Sequence, residues 1–82
     1  MKTIEYSNKA FKNLQQFPVN DRRRIIGKIK QLAEDPQMLG NNIIRLQGRP
    51  GFRLRIGDYR VIFEVSDTVL SVTDIDVRGN IY

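Results

Sequence analysis

Eighty-two residues carrying 14 Lys/Arg against 9 Asp/Glu, with a net charge of +5 and a pI near 10.0, describe one small basic domain, near the size at which a single hydrophobic core is only just sufficient. The chain has no Cys, which excludes disulfides and thiolate metal sites, and no His, which removes the usual general base and the commonest metal ligand, so zinc enzymes and His-dependent triads are excluded. The positive balance favours nucleic acid, an acidic protein, or both as partners; no apolar run approaches the ~20 residues that cross a bilayer, so a cytoplasmic protein with no membrane partner is expected.

Taken in order, Lys2 to Tyr6 predicts a short first strand. Ser7 offers an N-cap hydroxyl, and Ala10, Phe11, Leu14 and Phe17 recur at helical spacing, predicting a first amphipathic helix that Pro18 closes. Val19, Asn20 and Asp21 open a second helix, with Asn20 or Asp21 able to cap it; Ile25, Ile26, Ile29, Leu32 and Ala33 form its apolar stripe, and Asp35-Pro36 stops it. The Arg22-Arg23-Arg24 run in that helix reads first as a solvated charge run, and only secondarily as a phosphate contact. Met38 and Leu39 are expected to pack under a loop at Gly40-Asn41-Asn42. Ile43, Ile44 and Leu46 then form an apolar patch before the loop Gln47-Gly48-Arg49-Pro50-Gly51, whose spacing matches no phosphate-loop motif and reads as a plain turn.

The clearest pattern runs from Phe52 to Val65. Phe52, Leu54 and Ile56 alternate with Arg53 and Arg55; Tyr59, Val61, Phe63 and Val65 alternate with Arg60, Ile62 and Glu64; Gly57-Asp58 supplies a turn between them. This predicts a hairpin with an apolar face and an arginine face, on which Arg53 and Arg55 stand about 6.6 Å apart and Arg60 lies across the ladder where register permits. The span from Gln37 to Phe63 contains a single acid, Asp58. A solvated face would intersperse signs, so a polyanion site is favoured over a charged surface whose arginine stems merely cover the core. After a Ser66-Asp67 turn, Val69 to Val77 predicts a last strand in which Leu70 and Val72 keep one phase and Ile75 and Val77 the other, through burial on both faces or a bulge. The element order implies an α+β fold over residues 1–82 as one domain: an N-terminal strand and an antiparallel helical hairpin packed on one face of a mainly antiparallel four-stranded sheet.

These features together resemble the RelE/ParE superfamily of bacterial type II toxins. The resemblance rests on the early strand and two helices, on Leu46-Gln47-Gly48, on the basic strand Arg53-Leu54-Arg55, on Gly57-Asp58-Tyr59-Arg60-Val61-Ile62-Phe63-Glu64-Val65, and on an Arg-x-x-x-Tyr ending at Arg78 and Tyr82; it covers essentially the whole chain. It implies a small toxin held inactive by a cognate antitoxin, with an acidic or amphipathic helical segment as the binding element. It implies, for the RelE branch, cleavage of mRNA in the ribosomal A site by attack of the substrate 2′-hydroxyl, without metal or cofactor. In that mechanism Arg53 and Arg55 would hold or polarise the phosphate, Arg60 would clamp it, Arg78 would add transition-state charge, and Tyr82 would stack on a base or take part in proton transfer, with an apolar anchor as the alternative for Tyr82. Arg60 and Arg78 are expected to be surface groups. Active RelE relatives commonly carry lysines where this chain has Arg53 and Arg55, and arginine is a poor base near neutral pH. A ParE-like toxin that inhibits DNA gyrase without cutting RNA is therefore the second reading, and a plain RNA-binding module the third.

Overall fold

The alternation of apolar residues that predicts strands near the C-terminus, and their helical recurrence near the N-terminus, meet in a computed structural model that describes residues 1–35, 40 and 42–77. The elements are β1 (Thr3–Tyr6), α1 (Asn8–Gln16), α2 (Val19–Glu34), β2 (Ile43–Arg45), β3 (Phe52–Ile56), β4 (Tyr59–Val65) and β5 (Val69–Val77). The sheet order is β1-β5-β4-β3-β2, with β1 parallel to β5 and every other neighbour antiparallel. The fold is thus α+β as expected, with five strands rather than four. The added strand, β2, pairs Ile43 with Leu54, Ile44 with Arg53 and Arg45 with Phe52. Three residues are too few for a two-residue period to show, and the sequence there reads only as an apolar patch.

Ser7 caps α1 as expected: its backbone is extended and its Oγ accepts from the Ala10 N–H at 3.0 Å, an interaction whose loss typically costs about 1 kcal/mol. The same hydroxyl donates to the Thr73 carbonyl at 2.8 Å, and Asn13 Nδ2 donates to the Ile75 carbonyl at 3.0 Å. Both carbonyls lie on β5 beyond Val72, where pairing with β1 ends. Side chains of α1 thereby satisfy polar groups of a strand edge that has lost its β partner. Helix α2 starts differently from the expectation. Pro18 is its N-cap and no side chain caps it; Asp21 stands in the first turn, where its charge complements the helix dipole, and its carboxylate bonds elsewhere. Phe11 also departs from the expected stripe, being 53% exposed; the buried residues of α1 are Ala10 and Leu14.

The core lies between the helices and one sheet face. Ala10, Leu14, Ile25, Ile29, Leu32 and Ala33 meet Leu54, Ile56, Val61, Phe63, Leu70, Val72 and Ile75 there, and the Phe52 and Phe63 rings stack at 5.6 Å between centroids. The change of phase in β5 is a bulge: Ile62 pairs with Asp74 but Phe63 with Val72, leaving Thr73 extra, and its hydroxyl donates to the Ile62 carbonyl at 3.2 Å. The bulge keeps Leu70, Val72 and Ile75 on the core side and turns Asp74 and Asp76 to the opposite face. Among the described residues no helix is long and apolar enough to cross a membrane. The expectations for Met38, Leu39, Arg78 and Tyr82 lie outside the described residues.

Candidate functional site

The sheet face turned away from the helices gathers the residues of opposite phase to the core. The register places Ile44, Arg53, Ile62 and Asp74 in one row across β2, β3, β4 and β5, and Arg55, Arg60 and Asp76 in the next. The hairpin that carries the arginines turns at Gly57, whose φ of +56° is costly for any residue with a side chain. Positive φ at the first central residue alone is the type II′ pattern that matches strand twist. Arg53, Arg55 and Arg60 therefore share a face, as the alternation predicts, and Arg55 lies directly across from Arg60.

Their exposures differ. Arg55 is exposed and Arg53 half-buried, but Arg60 is only 7% exposed, which corrects the expectation of a surface group. Arg60 lies in the central strand, between Arg55 and Asp76, and its Nη1 folds back to donate to the Tyr59 carbonyl at 3.2 Å and, at 3.5 Å, to the Gly57 carbonyl of its own turn. On its β5 side stands Asp76. Like charges directly opposite on a sheet destabilise it, and opposite charges stabilise it by roughly 0.2–1 kcal/mol; Arg60 has one neighbour of each kind. Asp74, in the adjacent row, accepts from Lys9 Nζ of α1 at 3.1 Å. Positive charge is thus concentrated on β3 and balanced on β5. The sequence pattern does not reveal this acidic half. Its signal is the spacing of Asp74 and Asp76, and it becomes legible only once the Thr73 bulge fixes the phase.

The hairpin turn is held from the helical side as well. The Tyr59 hydroxyl donates to Asp21 Oδ2 at 2.7 Å, and the Tyr59 ring lies 4.7 Å from that of Phe17. Donation to the Asp21 carboxylate is the main reason the Tyr59 hydroxyl titrates above its ordinary 10.0; burial and the negative charges of Asp21 and Asp58 act in the same direction, and Arg24 opposes them. Arg24 packs its guanidinium over Gly57 so closely that an added Cβ would stand 2.5 Å from Nη2. Arg22 Nη1 reaches the Gln15 carbonyl at 3.5 Å. Two members of the arginine run thus pack against the protein itself. Among the described residues, no group of three or more His, Cys, Asp or Glu side chains is placed to hold a metal ion.

This arrangement, a helix pair on one side of a β1-β5-β4-β3-β2 sheet and a basic hairpin face on the other, superposes on solved structures of RelE toxins. A chain of the archaeal RelE–RelB complex from Pyrococcus horikoshii OT3 superposes with a TM-score of 0.80 at 28% identity, covering 95% of this chain and 96% of that one. The isolated Escherichia coli RelE toxin gives 0.79 at 19% identity (96% and 86%), and the RelBE2 complex of Mycobacterium tuberculosis 0.78 at 21% (94% and 98%). The molecule is accordingly of the RelE/ParE class of type II toxin–antitoxin toxins, with RelE structures as its structural neighbours. The sequence matches the model of the ParE toxin of type II toxin–antitoxin systems over residues 4–82, and the chain belongs to that family. No curated protein matches the sequence.

Proposed function

We propose that this toxin is a ribosome-dependent endoribonuclease that cuts mRNA in the A site. The observation that carries the reading is the register that sets Arg53, Arg55 and Arg60 on one sheet face, with Arg53 and Arg55 accessible and Arg60 buried on the next strand, across from Arg55. Guanidinium groups fixed on a rigid strand can bind a phosphodiester bidentately and stabilise charge as it develops on phosphorus. In the reaction the 2′-oxygen attacks the adjacent phosphorus, the bond to the 5′-oxygen breaks, and a cyclic phosphate and a free 5′-hydroxyl result; the proton lost by the 2′-hydroxyl is balanced by one gained at the leaving oxygen. Arg53 and Arg55 contact the phosphate, and Arg60 adds its charge while holding the turn. Arg78 and Tyr82 complete the site in this reading, the first by charge and the second by stacking or proton transfer. The Pyrococcus and Mycobacterium relatives are complexes with an antitoxin, and a cognate antitoxin with an acidic or amphipathic helical segment is the partner proposed here, since such a segment complements the basic face.

A second reading, inhibition of DNA gyrase without RNA cleavage, is favoured by the match to the ParE toxin family and by arginines at the two accessible strand positions. Primer extension on a defined mRNA in a reconstituted translation reaction, with and without ribosomes, separates the two. Cuts within A-site codons that require ribosomes and disappear in Arg55→Ala support cleavage. Intact mRNA from a protein that still arrests growth supports gyrase.

A further inference from the structure

Beside Arg53 the open face carries an apolar residue that packing does not require. Ile44 pairs directly with Arg53, is 51% exposed, and points to the arginine side, while its neighbour Ile43 faces the core. Two hollows adjoin Ile44 and Arg53. One, of about 330 Å³, is lined by Ile44, Arg45, Leu46, Gln47 and Arg53; the other, of about 150 Å³, is lined by Asn42, Ile43, Ile44, Arg53 and Arg55. The first combines an apolar floor with the exposed amide of Gln47 at its rim. The second presents two guanidinium groups.

We infer that the two hollows form a nucleotide subsite, in which an unpaired base lies on Ile44 and Leu46 with its edge toward Gln47, and the phosphate of the same nucleotide is held between Arg53 and Arg55. The inference rests on the RNA-directed reading above and adds the group that would read the base. A base is flat with two apolar faces and a polar edge, so it matches an aliphatic floor with an amide at one side. A bare phosphate ligand would leave Ile44 without a role, and a purely apolar partner would have to cover Arg53 and Arg55 without pairing them, which is costly. Directly paired residues on one sheet face stand about 5 Å apart, a separation that one nucleotide spans.

The test is fluorescence anisotropy of the free toxin with a labelled 2′-O-methyl RNA decamer of mixed sequence, which cannot be cut by 2′-oxygen attack, beside an abasic decamer with the same phosphates. The wild type should prefer the base-bearing decamer by about tenfold; Ile44→Ser should weaken that decamer by about fivefold, the scale of partial loss of one apolar contact, and leave the abasic one unchanged. Ile44→Phe, which keeps strand propensity and widens the floor, should bind the base-bearing decamer at least as tightly as the wild type. Equal wild-type affinity for the two decamers, binding of neither, weakening of both alike by Ile44→Ser, or weakening by Ile44→Phe would overturn the subsite. Base-dependent binding without ribosomal cleavage would leave the subsite standing and remove the cleavage reading; cleavage with base-independent binding would do the reverse.

Discussion

Strands β3 and β5 flank the same central strand and show the same open face, yet they treat charge in opposite ways. On β3, Arg53 and Arg55 face solvent; on β5, Asp74 and Asp76 face the same direction, the first tied to Lys9 and the second set across from Arg60. An anion approaching this face finds attraction over β3 and a largely balanced surface over β5, within two strand spacings, or roughly 10 Å, of each other. The lesson is that a count of arginines does not locate a binding site. Arg60 belongs to the arginine cluster by sequence and to the balanced half by environment.

The contrast can be broken most severely on β3. Arg53→Ala combined with Arg55→Ala should lower ribosome-dependent cleavage by ~10²-fold or more, the scale of removing one oriented donor of transition-state charge, while urea denaturation stays within about 0.5 kcal/mol of wild type, as for other surface changes. Normal cleavage by the double variant would place the chemistry elsewhere. Asp76→Asn acts on the other half. It should destabilise the fold by about 1–2 kcal/mol in the same denaturation, because Arg60 is buried and loses a charged neighbour, and should tighten binding of the RNA decamer two- to threefold (about 0.5 kcal/mol) by uncovering positive charge.

Tyr59→Phe probes the clamp that holds the hairpin from the helical side. It should cost about 1 kcal/mol, the net worth of one hydrogen bond. Because the folded state raises the Tyr59 hydroxyl above its ordinary 10.0, the bond contributes fully below that pH and is lost as pH rises through the folded value. Wild type should therefore lose stability more steeply than Tyr59→Phe in denaturation series above pH 10.0, and parallel alkaline slopes would count against the Asp21 bond. Lys9→Ala should give the smallest effect, at most about 0.5 kcal/mol, since the Lys9 side chain is 69% exposed.

Much of this arrangement was legible in the sequence, and its gaps have physical causes. Alternation marked both strands of the hairpin at their observed ends, Gly57 marked the turn, and Ser7 marked a cap that forms. Alternation reports which face a residue occupies, not what stands beside it, so Arg60 could be assigned its face but not its burial. Strand β2 was illegible for want of length. Asp21 is not the cap because α2 begins two residues before it, behind Pro18, which leaves its carboxylate in the first turn as an acceptor for Tyr59. Phe11 fits the helical stripe, yet α1 meets the sheet through the smaller Ala10 and through Leu14. Of the five residues assigned to the site, Arg53, Arg55 and Arg60 are brought together, and Arg78 and Tyr82 fall outside the described residues.

The parallel pairing of β1 with β5 has a consequence for the timing of synthesis. Thr3 finds its partner in Val69, and Lys2 Nζ reaches the Ser66 and Asp67 carbonyls, so the first strand made waits for nearly the last. Chains emerge from the ribosome N-terminus first, and contacts of long sequence separation form late. While β5 is still being made, the hairpin lacks Asp76 beside Arg60, and α1 lacks the carbonyls that Ser7 and Asn13 satisfy. The hairpin alone sets the three arginines on one face, and that face gains its acidic half only once β5 has been made and paired.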